Sequence, residues 1–302
     1  MATDSVSASA GASLRVSRPR HPREWVSSIG LAPFTVYVLL FLALPTVLAI
    51  SSGLFDAKGQ FTWANFSALG DPVVLRTFWA SIWLSLLTAA IGAVVGAAVC
   101  FALLGVPASR PVRVVVNAAA SVLAQFGGVM LAFVFIATMG RNSLLNQMLL
   151  HAGVNIYSSG MWLYDLPGLI LPYIYFQIPL MVITFMPAME GLKVQWAEAN
   201  FALGGTGRTF WMRIGLPILA PSFLASYLLL FANSFSAYAT AAALASQGSQ
   251  IVPLQIRAAL TSETVLGRAN LAGALAAGMI VVMVVVMVGY SAVQRRAERW
   301  RG

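Results

Sequence analysis

Few residues in this chain of 302 could carry out chemistry by themselves. Its one cysteine, Cys100, sits in an apolar run and reads as a small core hydrophobe, and a single thiol closes no internal disulfide. The two histidines, His21 and His151, stand far apart without ligand-type neighbours at zinc-site spacing. An intramembrane serine hydrolase needs a histidine inside an apolar run, and a metalloprotease needs His-Glu-x-x-His; the chain has neither. It also lacks the Gly-x4-Gly-Lys-Ser/Thr phosphate loop, because the glycines between 204 and 207 have no lysine after them and no strand before them. No catalytic residue, metal site or bound cofactor is therefore expected. The side chains left for function are polar groups in apolar surroundings and charges between them, whose chemistry is docking and solute passage.

The elements that must position them follow from composition. Hydrophobic residues make up 59% and charged residues 9%, where a soluble domain carries about 25% charged. Crossing about 30 Å of hydrocarbon takes about 20 apolar residues in a helix. Six runs qualify, at 30–50, 78–104, 112–139, 166–189, 218–244 and 271–293. None shows the ten-residue alternation of a barrel, so backbone satisfaction in lipid leaves helices. The fold class expected is an all-α integral membrane protein with six transmembrane helices.

Charge placement orients it. With both termini in the cytoplasm, thirteen of the eighteen Lys and Arg residues fall on inside segments, among them Arg15, Arg18, Arg20, Arg23, Arg110, Arg113, Lys193, Arg208, Arg213, Arg295 and Arg301. The outside keeps Lys58, Arg76, Arg141, Arg257 and Arg268. This asymmetry is the positive-inside signal, so the net charge of +9 reports topology and not a nucleic-acid partner. The organisation expected is a disordered basic tail over 1–28, a six-helix transmembrane domain over 29–295 with a long cytoplasmic loop at 190–217, and a cytoplasmic tail over 296–302. A short helix is expected at 142–152 from the shared face of Leu144, Leu145, Met148 and Leu149. In loop 54–77, Trp63 and Phe66, with Trp79 just beyond, match an interfacial aromatic belt.

Polar residues inside spans are expensive unless they face a cavity or another helix. Span three carries Asn117, Ser121 and Gln125 at four-residue spacing; span four carries Tyr173, Gln177 and Thr184; span five carries Ser226, Tyr227, Asn233, Ser234, Ser236 and Tyr238. Of these, Asn117, Gln125, Tyr173, Gln177, Asn233, Ser236 and Tyr238 are the candidates for a translocation path, against the alternative of helix-to-helix hydrogen bonds. No Asp or Glu falls within a predicted span, so a cationic solute meets only aromatic faces at Tyr173, Tyr175 and Tyr238. Loop 245–270, with Gln247, Gln250, Pro253, Arg257 and Glu263, is a candidate outer gate or receptor contact.

The segment 190–217 is the long inside connection. A short helix is expected around 194–203, with Val194, Ala197, Phe201 and Ala202 as its apolar residues. The glycines from Gly204 to Gly207 stop it, a second helical stretch runs over 209–214, and Pro217 suits the first turn of span five. Such a helix-turn-helix presents an apolar knob with charged edges.

Here the sequence resembles the permeases of ATP-binding-cassette (ABC) importers. That family carries Glu-Ala-Ala, three residues, Gly, nine residues, then Ile-x-Leu-Pro. This chain has Glu198-Ala199-Asn200, Gly204, Ile214, Leu216 and Pro217 at the same spacing. At residue frequencies of roughly 5–10%, agreement at six positions in a given window arises by chance about once in a million or less. Asn200 in place of the second Ala is the departure, expected to alter the fit to a partner. The Phe61–Phe66 segment FTWANF and the tract YFQIPLMVITFMPAMEGL from Tyr175 extend the resemblance over about 30–295, and the tract is most similar to the spermidine/putrescine branch.

The resemblance implies a type I importer permease in the bacterial cytoplasmic membrane, embedded in lipid. Its implied partners are two ABC ATPase subunits that hold ATP and Mg, a second permease subunit of different sequence, and an extracytoplasmic substrate-binding protein. In this reading Glu198, Ala199, Asn200, Phe201, Gly204, Ile214, Leu216 and Pro217 couple the chain to the ATPase. The solute implied is polyamine-like, with iron, thiamine, phosphonate or sugar as alternatives. Two other readings stand beside it: a self-contained loop in which Glu198 caps or pairs with Lys193 or Arg208, and an ATP-independent channel or secondary transporter.

Overall fold

A computed structural model describes residues 24–56, 58–107, 109–158, 160, 162–245, 251–261 and 268–299. The arginines of the N-terminal tail, His21, Gln247, Gln250, Glu263 and Arg301 lie outside the described residues. The chain divides into two units, Met1–Leu48 and Ala49–Gly302. In chain order the helices are α1 (Glu24–Val38), α2 (Leu44–Ser52), α3 (Ala64–Ser67), α4 (Pro72–Leu104), α5 (Pro111–Gln125), α6 (Gly128–Met139), α7 (Leu144–His151), α8 (Ile170–Glu190), α9 (Val194–Ala202), α10 (Gly207–Phe210), α11 (Leu216–Phe235), α12 (Ala239–Leu244), α13 (Val252–Thr261) and α14 (Arg268–Arg299). Helix α1 begins within the segment expected as tail, and α14 continues through 296–299. Among the described residues the β-pairing seen is one isolated bridge, Phe55 to Phe61.

Among the described residues six stretches are long and apolar enough to cross a membrane: Leu31–Ser52, Pro72–Leu104, Gly128–His151, Leu166–Glu190, Gly207–Phe235 and Asn270–Ala292. Two expected spans are corrected. The run 112–139 is two helices: α5 ends at Gln125, the chain turns at Phe126 and Gly127, and Gly128 opens α6 at φ +68°, a left-handed conformation that a continuous α-helix does not pass through. The run 218–244 breaks at Ser236 to Tyr238, where the Ser236 hydroxyl turns back to the Ala232 carbonyl at 2.9 Å. Hydropathy is continuous through both breaks and so does not register them.

Two π-turns, Leu39–Ala43 and Trp211–Gly215, each precede a Leu-Pro pair. In each, the Leu N–H reaches five residues back, Leu44 to the Leu39 carbonyl and Leu216 to the Trp211 carbonyl. The following proline has no N–H to continue the α-ladder, which lets the turn widen. The helix expected over 209–214 is this π-turn preceded by α10.

Packing centres on α4. Asp71 caps it by accepting from the Val73 N–H at 2.8 Å, and Pro72 fits its first turn. Its buried stripe of small residues includes Ser85, Thr88, Ala89, Gly92, Ala93 and Gly96. At Gly92 an added Cβ would stand 2.7 Å from the Gln177 Cβ, and at Gly96 one would stand 2.8 Å from the Ile178 carbonyl oxygen. These glycines let α8 approach α4 closely enough for dispersion to replace the hydrophobic drive that lipid removes. One core joins Met181, Val182, Phe185, Phe231 and Phe235; a second joins Leu131, Leu163, Leu169, Tyr173 and Leu244. Cys100 is buried in the first, as expected of a core residue.

Candidate functional site

The motif residues fall on one compact turn-linked unit. Helix α9 ends at a Schellman turn: Gly204 stands at φ +77°, the Gly204 N–H donates to the Phe201 carbonyl at 2.9 Å and the Gly205 N–H to the Asn200 carbonyl at 2.8 Å. Thr206 then caps α10, its hydroxyl accepting from the Thr209 N–H at 3.3 Å. Pro217 occupies the first turn of α11.

Asn200 does not face outward. It is buried, its Nδ2 donates to the Thr206 carbonyl at 3.1 Å, and a Cβ on Gly205 would stand 2.3 Å from its Oδ1. The residue that departs from the family pattern thus clamps the turn from within. A longer polar side chain is accommodated here because Gly205 has no side chain.

What the turn presents is apolar. Phe201 is 56% exposed, Leu203 is 89% exposed and Val194 is also exposed. Leu203 was not among the expected docking residues. Its signal was an apolar side chain at the helix end, where no intrahelical packing holds it. Glu198 and Ala199 are exposed on α9, and among the described residues Glu198 forms no ion pair with Lys193 or Arg208. Lys193 instead lies 5.9 Å over the Trp196 ring. Beside the knob runs a groove of about 720 Å³, bordered by Trp196, Asn200, Leu203, Arg213 and Ile214. Leu216 is also exposed and borders a separate apolar cavity with Phe101, Trp211 and Phe223.

The polar residues of the spans separate into two groups. Asn233, Ser236 and Tyr238 are exposed and border a cavity of about 240 Å³ with Gly127, Gly128 and Thr240. Both helix breaks therefore open onto one space, held together by the Thr240 hydroxyl donating to the Gly128 carbonyl at 3.2 Å. Asn117 and Ser121 are exposed on α5 and border a second cavity of about 240 Å³ with Ile183 and Glu190. Gln125 is exposed at the end of α5 and borders neither cavity.

Tyr173 and Gln177 are placed differently from the expectation that they line a path. Both are fully buried. The Tyr173 hydroxyl donates to the Ala237 carbonyl at 2.8 Å, satisfying a group freed by the break after α11. Gln177 Nε2 donates to the Thr88 hydroxyl at 2.8 Å, and Thr88 lies 3.1 Å from the Ser234 hydroxyl, which ties α8, α4 and α11 together. Apolar packing requires these groups to find partners among their neighbours. Thr88, on span two, completes that network and was not singled out from the sequence. The aromatic face of Tyr238 has the Arg257 guanidinium 6.0 Å from its centroid.

No family model matches the sequence, and no curated protein does. By structure the chain is similar to a bacterial ABC transporter involved in the import of the acidic polysaccharide alginate, with TM-score 0.73 and 17% identity over 91% of this chain and 96% of that one. A bacterial alginate ABC transporter in complex with an alginate pentasaccharide-bound periplasmic protein gives TM-score 0.72 and 18% identity, over 91% and 95% of the two chains. The MetNI methionine ABC transporter in inward-facing conformations gives 0.54 and 12%, over 74% and 95%. At these identities the likeness defines a fold: all-α, with six candidate spans, as in the membrane subunits of ABC importers.

Proposed function

We propose that this chain is a permease subunit of an ABC importer, which forms part of the path for a small polar solute and receives the force of ATP hydrolysis through the loop after α8. The observation that carries the proposal is the exposed pair Phe201 and Leu203 on a turn locked at Gly204, in a sequence that matches the importer motif from Glu198 to Pro217. An apolar knob on a rigid turn is the shape that docks into a groove, and Glu198 at its edge is free to accept hydrogen bonds from a partner.

The partners in this reading are two ATPase subunits holding ATP and Mg, a second permease subunit of different sequence and an extracytoplasmic binding protein. In this reading the chain is a multi-pass protein of a bacterial cytoplasmic membrane, as the resemblance implies, and its charge asymmetry supports both termini inside. It hydrolyses no ATP itself. Asn233, Ser236 and Tyr238 face the solute at the two helix breaks, where free backbone groups add donors and acceptors. Asn117 extends the path from the separate cavity on α5, and Gln125, which borders neither cavity, is assigned to it by its exposed position at the end of α5.

The first solute to assay is polyamine-like, from the resemblance of the Tyr175 tract. The described spans carry no carboxylate between their ends, and Arg257 already occupies the Tyr238 face, so cation recognition in this reading falls to the partner permease or the binding protein. Iron, thiamine, phosphonate, sugar, an acidic saccharide and methionine form the rest of the panel.

The test is affinity purification of the full chain from its native membrane, followed by reconstitution in proteoliposomes with each solute. Recovery of an ATPase subunit and solute-stimulated hydrolysis is expected. A chain that transports without any ATPase subunit is a channel or secondary transporter, and that result overturns the proposal.

A further inference from the structure

Arg113 and Glu190 form the one ion pair seen among the described residues. The Arg113 side chain is only 9% exposed; its Nη2 donates to the Glu190 carboxylate and its Nη1 to the Val106 carbonyl at 2.8 Å. One guanidinium thus joins the turn between α4 and α5, the first turn of α5 and the last residue of α8. Neither charge is favoured by its own helix. An arginine at a helix N-terminus and a glutamate at a C-terminus both oppose the macrodipole. Each is matched by the other, and a guanidinium this buried requires its carboxylate. Lys193, three residues after Glu190, is turned over Trp196.

The position of the pair gives it a role. Glu190 stands between two cavities, one of about 440 Å³ bordered by Arg113, Val194 and Ala197 under α9, the other bordered by Asn117 and Ser121 on α5. Helix α5 carries mostly exposed side chains, Val112, Val114, Val115 and Val122 among them, and ends at the break that borders the solute cavity. We propose that the Arg113–Glu190 pair is a positioning link that passes displacement of α9 to α5, and through α5 to the break at Gly127 and Gly128. It rests on the reading of the chain as an importer permease. A contact made of directional, charge-assisted bonds resists sliding in a way that the valine surface of α5 does not.

The test uses the full complex in proteoliposomes and measures solute moved per ATP hydrolysed, with capture of the ATPase subunit measured alongside. Glu190→Gln and Arg113→Gln are expected to retain the ATPase subunit and to hydrolyse ATP while transport per ATP falls about tenfold, within the range of ordinary coupling energies. The exchange Arg113→Glu with Glu190→Arg places each charge at the helix end that favours it and is expected to recover most of the loss. Where a single variant fails to accumulate, Glu190→Asp, which keeps the charge but shortens its reach, is read instead and is expected to lower the ratio partially. An unchanged ratio in Glu190→Gln, or in Glu190→Asp where that is read, overturns the link. So does an equal fall in ATPase capture and transport, which marks the pair as a structural staple. Failure of the wild-type chain to capture any ATPase subunit overturns the functional reading itself and appears in a separate arm.

Discussion

The loop after α8 and the cavity between the two helix breaks hold their side chains in opposite ways. In the loop every fixing bond is local: the Schellman pair at Gly204 and Gly205, the Asn200 clamp on Thr206 and the Thr206 cap close within a dozen residues. The product is apolar side chains held outward. In the cavity the fixing bonds are long-range, Tyr173 to Ala237 across 64 positions and Thr240 to Gly128 across 112. The product is polar groups held around an interior space. A locally closed turn can be pushed without changing shape, whereas a cavity closed by distant segments changes shape when any one of them moves. The first suits receiving force and the second suits converting it into access.

The sharpest way to break this comparison is Gly204→Val. A β-branched residue at φ +77° costs on the order of 1–3 kcal/mol in backbone strain and unwinds the turn that aims Phe201 and Leu203. The variant is expected to reach the membrane, as fractionation with immunoblotting checks, and to lose ATPase capture and transport. Wild-type transport by that variant sinks the docking role.

Next in size is the clamp. Asn200→Ala supplies the second Ala of the importer motif but removes the bond to Thr206, at about 1 kcal/mol, so capture affinity should fall roughly fivefold. Gly205→Ala displaces the same amide and should cost a similar amount. The double variant should be no worse than Gly205→Ala alone, since both remove one interaction; strict additivity in titrated capture would show that Asn200 acts elsewhere.

Smaller effects are expected at the cavity. Tyr173→Phe removes one intramembrane hydrogen bond, about 0.6 kcal/mol, and leaves the Ala237 carbonyl without that donor. Its expected result is a two- to threefold rise in the solute concentration for half-maximal transport at unchanged ATPase capture. A change in capture alone would tie the break to the loop and not to the solute.

The smallest effect is expected for Gln177→Leu. The Gln177 Oε1 has no hydrogen-bond partner, so an apolar replacement of similar size removes an unsatisfied buried group together with one bond. Thermal stability should shift by less than about 0.6 kcal/mol and transport should stay as it was. A large change in solute preference would instead put Gln177 on the path.

The legibility of the two regions follows from the same contrast. The loop could be read almost residue by residue, since a glycine run, a cap and a proline act on their immediate neighbours. Three points escaped that reading: the exposure of Leu203, the widening of the Trp211–Gly215 turn, and the direction of Asn200, which depends on the space left by Gly205 and which spacing does not show. In the spans, polarity marked Tyr173, Gln177, Asn233 and Ser236 alike, yet the fold buries the first two and leaves the others exposed. Thr88 was passed over because a threonine amid apolar residues bonds its own helix by default, and only the approach of α8 and α11 makes it a junction.

By itself the sequence determined a membrane-spanning all-α chain, six apolar runs, their charge asymmetry and the motif turn, because hydropathy, charge and local backbone chemistry are properties of short stretches. The tertiary structure alone decided where two runs break, which polar groups face a cavity, and that Arg113 and Glu190 meet. Each of those depends on which helix lies alongside, and nothing within one helix encodes its neighbour's position.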